Sequence, residues 1–306
     1  MVLIFLEPDL FVINLVNFIL LTEINIANHL YLFKKFRVFM KAMRKIVIKV
    51  GTSALTQGTQ KLSRRYMLGL VQQIVHLQSQ GLDLILVSSG AVATGRDLFT
   101  SETAQSLPSK QMFASIGQVR LMQVWSELFS LFELQVAQML LTKDDFSDCK
   151  QHLTRDTLSC LLQHHVIPII NENDTVATKE MGVGDNDNLA ALVANLIAAD
   201  TVILLTDQEG LYTSDPRLNP NAKLISVVSR IDERICALAG GSSTSLGTGG
   251  MATKIEAAQI ASGSGIRTII APSSRPNVLI DLIEGRQIGT LFLEEITKIK
   301  VEEEKI

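Results

Sequence analysis

Apolar positions along this chain fall into two alternating patterns. Short, nearly continuous runs rich in Val, Ile and Leu occupy 45–50 (KIVIKV), 82–87 (LDLILV), 134–139, 166–170, 201–206 (TVILLT) and 267–271 (RTIIA). Their length and β-branched content predict strands buried on both faces. Longer segments with helical spacing lie between them, at about 63–80, 110–131, 150–164, 187–199, 230–239, 251–262 and 276–284. Alternating strand-like and helix-like segments predict an α/β sandwich with a mostly parallel central sheet and right-handed crossovers.

The first 43 residues break this pattern. They are strongly apolar from Leu10 to Phe33, yet Asn14, Asn17, Glu23, Asn25, Asn28 and His29 interrupt the run, and its uncharged part is short for a bilayer span. Glu7 and Asp9 make the start acidic where a signal peptide wants basic residues. The reading preferred here sets 1–43 outside the working fold, with translation starting at Met40 or Met43. A weak membrane anchor or a partner-binding helix is the alternative. The remainder divides into one catalytic-sized domain, 44–295, and a charged tail, 296–306.

Bulk composition narrows the function classes. With 306 residues, 47% of them hydrophobic, the chain can bury a full core. A net charge of −3 offers no basic field, so nucleic acid is not an expected partner. Cys149, Cys160 and Cys236 show no metal-ligand spacing and read as buried thiols of a cytoplasmic protein. No side-chain metal site is expected; His164 and His165 read as a satisfied or exposed pair.

Chemistry collects at the predicted strand ends. Lys49 to Ser53 (KVGTS) follows the first strand, Ser88-Ser89-Gly90-Ala91 the second, Asn171 to Asp174 (NEND) the fourth and Thr206-Asp207 the fifth. Small and hydroxyl residues there let a backbone approach a ligand closely, and this edge is where open α/β sheets bind ligands. The densest stretch is 171–188, in which Glu172, Asp174, Asp185 and Asp187 alternate with Asn171, Asn173, Asn186 and Asn188. Asp185 or Asn186 would cap the helix that follows. A calcium loop fails, because Leu189 stands at a ligand position and Ala190 where glycine belongs. A substrate site, in which amides meet a bound carboxylate and an acid orients lysines or magnesium, stays open beside the capping role.

Two lysines favour the substrate site. Lys49 lies inside an apolar strand, where burial is costly without an anion unless the strand is an edge or the side chain snorkels. Lys254 closes the run SSTSLGTGGMATK at 242–254 and opens a helix. The run is no P-loop, since Thr253 precedes the lysine and Ile255 follows it. Gly247, Gly249 and Ala252 fit a dinucleotide fingerprint, but no strand precedes them. A flexible surface loop and a phosphate-gripping loop are the readings left. Together, Lys49 and Lys254 would bracket a transferring phosphoryl group with Asp187 holding both ammonium groups and magnesium bridging the phosphates.

Taken together, KVGTS (49–53), VSSGA (87–91), QMLLT (138–142), RDTL (155–158), INENDTVAT (170–178), VGDNDNL (183–189), LLTDQEGLYTSDPR (204–217) and GTGGMATK (247–254) resemble the glutamate 5-kinases of the amino acid kinase family. The resemblance spans about 44–293. It implies a three-layer α/β/α sandwich and ATP- and Mg2+-dependent phosphorylation of the L-glutamate side chain, the first step of proline synthesis. It implies glutamate binding by Ser89, Asp174 and Asn186, with Lys49, Asp187 and Lys254 as the catalytic set. For ATP it implies Lys49, Thr206, Asp207, Thr248, Gly249, Gly250, Met251, Ala252, Thr253 and Lys254. Inhibition by proline and a homodimer or homotetramer in the cytoplasm, away from membranes, are further implications. Many such kinases add a C-terminal PUA domain, for which this chain is too short, and 1–43 has no counterpart in the pattern.

Overall fold

The computed structural model describes residues 44–99, 106–177, 185–239 and 250–294. The extension 1–43, the tail 296–306 and most of the glycine-rich run, Thr248 and Gly249 included, lie outside the described residues.

In chain order the strands are β1 (Lys45–Val50), β2 (Asp83–Ser88), β3 (Val136–Leu141), β4 (Ile167–Glu172), β5 (Thr201–Thr206), β6 (Val227–Val228), β7 (Arg267–Pro272) and β8 (Thr290–Phe292). The helices are α1 (Thr52–Thr56), α2 (Arg64–Ser79), α3 (Ala91–Arg96), α4 (Leu107–Ser130), α5 (Gln151–Gln163), α6 (Asn186–Leu196), α7 (Glu233–Ala239), α8 (Met251–Ser262) and α9 (Val278–Ile283). One sheet holds the strands in the order β3-β4-β2-β1-β5-β7-β8-β6. Every neighbouring pair is parallel except β7 and β8.

Side-chain alternation along the strands sorts the core into two layers. Ile46, Ile48, Leu84, Leu86, Ile203 and Leu205 pack with α2, α4 and α9. Val47, Ile85, Val87, Val202, Leu204 and Ile270 pack on the other face with α5, α6 and α8. The result is an α/β/α sandwich with β1 near its middle, flanked by β2 and β5.

Lys45, Val47 and Lys49 point to the same face. At one end of that row Lys45 Nζ donates to the Ile197 carbonyl just past α6, at 2.9 Å, and at the other Lys49 Nζ meets Asp187 at the start of α6, at 2.6 Å. The Asp200 carboxylate adds to the anchoring by accepting from the Arg44 and Lys45 N–H groups.

Sequence periodicity does not show everything. α1 and α3 are single short helices placed directly after strands, where Gly51 and Gly90 suggested turns only. β6 and β8 are two and three residues long, below what an apolar run can signal. β3 runs two residues later than 134–139, because it is an edge strand with one half-open flank and Leu134 belongs to the turn before it. The three cysteines are exposed, not buried: Cys160 and Cys236 sit on outward helix faces and Cys149 in the turn before α5.

Candidate active site

The parallel strands β1, β2, β4 and β5 end at one edge of the sheet, and the first turns of α6 and α8 meet there. Asp185 caps α6: its Oδ1 accepts from the N–H groups of Asp187 (2.8 Å) and Asn188 (2.9 Å). Capping and site building therefore coexist in this stretch, because the cap fixes the orientation of the two residues that follow it.

Asp187 is fully buried, and its carboxylate is divided between two lysines. Lys49 Nζ lies 2.6 Å from Oδ1 and Lys254 Nζ 3.0 Å from Oδ2. Thr253 Oγ1 is 2.9 Å from the same Oδ2 and 2.9 Å from the Gly250 carbonyl, two acceptors for one hydroxyl proton. Lys49 and Lys254 are themselves about 95% buried. Burial alone would push the Asp187 carboxyl up, but the charges and hydrogen bonds of Lys49 and Lys254 outweigh it and hold it at about 2. The two ammonium groups thus share one carboxylate, and the Asp185 carboxylate is also close enough to Lys49 for their charges to interact. Lys49 is no edge residue, since its strand is central.

Beside this charged group lies a neutral one. Asn186 Nδ2 donates to Ser89 Oγ (2.8 Å) and to Asn171 Oδ1 (2.9 Å), which joins the ends of β2 and β4 to the start of α6. Asp174 sits in the turn after β4, half-buried. Burial and the neighbouring Glu172 carboxylate push its carboxyl up to about 6. At the end of β5, Thr206 Oγ1 donates to Asp207 Oδ1 (3.1 Å), and the Thr206 carbonyl accepts from the Ser273 N–H (2.6 Å).

Gly250 stands at the N-cap of α8 with extended backbone, no side chain caps that helix, and Met251, Ala252 and Thr253 form its first turn. The N–H groups of such a turn point outward, where the helix dipole favours an anion. Among the described residues no group of three or more His, Cys, Asp or Glu side chains is placed to hold a metal ion, and Asp187 spends both oxygens on ammonium groups.

Two participants were not singled out from the sequence. Gln118 on α4 accepts from Asn171 Nδ2 at 3.0 Å. It occupies the buried stripe with Leu121 and Trp125, and an amide on an apolar stripe was the signal available. Trp125 is the second: its Nε1–H donates to Ser88 Oγ (3.0 Å), tying α4 to the end of β2.

Comparison with known proteins agrees with this architecture. The profile of the Amino acid kinase family matches residues 44–272. Glutamate 5-kinase of Pasteurella multocida (strain Pm70) is 49% identical over 263 residues, covering 85% of this chain and 72% of that protein. Glutamate 5-kinase of Haemophilus influenzae (strain PittEE) is 52% identical over 250 residues, 81% of this chain and 68% of that one. Among solved structures, UMP kinase from Ureaplasma parvum superimposes with a TM-score of 0.57 at 15% identity, over 82% of this chain and 99% of that one. UMP kinase from Bacillus anthracis gives 0.59 at 13%, over 83% and 97%. At that identity the structures speak for the fold alone, whereas the profile and the sequence relatives establish kinship: this chain belongs to the amino acid kinase family.

Proposed function

We propose that this chain transfers the γ-phosphoryl group of ATP to the side-chain carboxylate of L-glutamate, giving L-glutamyl 5-phosphate, the first step of proline synthesis. The observation that carries the reading is the buried Lys49–Asp187–Lys254 group beside Asn186 and Ser89, in a chain about half identical to glutamate 5-kinases.

In this reading a carboxylate oxygen of glutamate attacks the γ-phosphorus and the bond to the ADP oxygen breaks. The nucleophile carries a pKa near 4.3 and is already ionised at neutral pH, so no general base is required. What opposes the step is repulsion between two anions. Lys49 and Lys254 offset it as positive charges placed beforehand, and Asp187 keeps both from moving. The N–H groups of Gly250, Met251, Ala252 and Thr253 at the start of α8 hold phosphate oxygens, and the family resemblance adds Thr248 and Gly249 as nucleotide contacts. Thr206 and Asp207 contact the nucleotide. Ser89 and Asn186 hold the acceptor carboxylate, and Asp174 holds its ammonium group. Magnesium fits as an ion carried by the nucleotide phosphates, where it neutralises charge; the donor set around Asp187 leaves no carboxylate oxygen for it. Proline is read as an inhibitor at or near the glutamate site, and the working form as a cytoplasmic homodimer or homotetramer.

The test is ADP release by the full chain with ATP and magnesium, comparing L-glutamate, L-aspartate and N-acetyl-L-glutamate, with hydroxylamine present to trap acyl phosphate. The expected result is a hydroxamate from glutamate only, decreasing when proline is added. Activity with another acid instead would keep the kinase and overturn the acceptor. Folded protein that released no ADP with any of them would favour a ligand-binding sensor.

A further inference from the structure

A chain of side-chain amides runs from the edge of the sheet to the proposed glutamate site. Gln118 Nε2 donates to Gln138 Oε1 on β3 (3.3 Å), Asn171 Nδ2 donates to Gln118 Oε1 (3.0 Å), and Asn186 Nδ2 donates to Asn171 Oδ1 (2.9 Å) and Ser89 Oγ (2.8 Å). The direction of these bonds follows from a single backbone group. The Glu172 N–H faces both Asn171 Oδ1 (2.9 Å) and Asn186 Oδ1 (3.3 Å), and a backbone N–H can only donate. Both atoms facing it are therefore oxygens, and both amide nitrogens point away, one to Gln118 and the other to Ser89.

Gln118 supplies the carbonyl that receives the Asn171 nitrogen. Without it, a buried donor would have no partner on that side, and the energetic difference between the two amide orientations of Asn171 would shrink. Two glycines bring Gln118 within reach. A Cβ at Gly117 would lie 1.8 Å from the Ala91 carbonyl oxygen, and one at Gly95 would lie 2.0 Å from that of Phe113. Helix α4 thus packs backbone to backbone on α3, which begins directly after Ser89 and Gly90.

We infer that Gln118 is a positioning residue for the acceptor: through Asn171 it fixes the Asn186 amide, so that Ser89 receives a hydrogen bond from the protein and turns its own proton toward the acceptor carboxylate. Gln118 touches no reacting atom in this arrangement. The inference rests on the reading of Ser89 and Asn186 as acceptor-binding residues. An ordinary satisfied core amide would affect folding and both substrates alike, whereas a positioning residue affects the acceptor selectively.

The experiment measures KM for L-glutamate and for ATP separately, in the full wild-type chain, Gln118→Met and Gln118→Glu. Methionine keeps length without the acceptor; glutamate keeps an oxygen toward Asn171, and Gln138 can turn its amide to donate. Gln118→Met is expected to raise the glutamate KM roughly ten- to hundredfold, with ATP KM and kcat at saturating glutamate little changed. Gln118→Glu is expected to recover most of that loss. An unchanged glutamate KM in Gln118→Met, or an equal rise for ATP, overturns the inference. Should Gln118→Met not fold, Gln118→Glu decides alone: a near-wild-type glutamate KM supports the inference and a tenfold rise overturns it. A wild-type chain inactive toward glutamate but active on another acid overturns the acceptor reading, and this inference with it.

Discussion

Asn186 and Asp187 are consecutive residues on the first turn of α6, yet they serve different halves of the site. Asn186 donates to Ser89 at 2.8 Å, while Asp187 takes Lys49 at 2.6 Å and Lys254 at 3.0 Å. One helix start thus carries acceptor recognition and charge placement side by side, and the two should separate on mutation.

Lys254→Ala is expected to lower kcat by about 10²–10³ while changing the glutamate KM far less, because it removes a charge used mainly as phosphate charge redistributes. Steady-state kinetics with each substrate varied in turn checks this. An unchanged kcat would mean that Lys254 does not act on the transferring group.

Asp187→Ala should harm the fold as well as the reaction. It removes the carboxylate that both buried ammonium groups share, and loss of one partner from a buried ion pair costs about 3–5 kcal/mol. The midpoint of urea unfolding is the readout.

The Asp187 carboxyl titrates at about 2 when folded, below its usual 3.8. A lowered value means that its stabilisation is fully present above about pH 4 and is lost as pH falls through about 2, amounting to roughly 2 kcal/mol. Activity profiles from pH 5 upward should contain no limb due to Asp187. Acid unfolding of Asp187→Asn should lack the contribution of this group in that low range.

Asp174 shifts the other way. Burial and Glu172 raise it to about 6, so the fold prefers its neutral form, and its contribution to stability is lost as pH rises through about 6. An ammonium group is attracted to the ionised form. The glutamate KM should therefore fall as pH rises from about 5 to 7, and Asp174→Asn should remove that dependence while raising the KM. The same variant should be more stable than wild type at neutral pH, by about 1–2 kcal/mol.

Gly117→Ala is expected to destabilise the protein by at least about 1–3 kcal/mol, since its methyl would overlap the Ala91 carbonyl and force α4 off α3. Because that movement would also draw Gln118 from Asn171, the glutamate KM should rise in whatever fraction folds. Thermal melts and kinetics on the same preparation check both.

Sequence periodicity exposed the sandwich because its central strands are apolar on both faces, and nothing but a doubly covered sheet accommodates IVIKV beside LDLILV. Lys49 stood out for the same reason, as a charge where the pattern allowed none. Gln118 was harder to see: helices tolerate amides on any face, and only its long-range partner Asn171, 53 residues away, shows which way it looks. The short helices α1 and α3 escaped because a glycine followed by five or six small or hydroxyl-rich residues carries too few turns for a periodic signal. Exposure of the cysteines depends on which helix face meets the sheet, which cysteine content alone does not reveal.

Lys45 and Lys49 grip α6 at its two ends from one strand, so the helix is braced against a rigid beam and cannot slide along its axis without breaking one grip. The placement of Asp187 is thereby decoupled from the turns around it. A frame of this kind lets the walls that choose the acceptor be rebuilt while the charge-handling centre stays in register, so that changes in selectivity need not sacrifice the capacity for transfer.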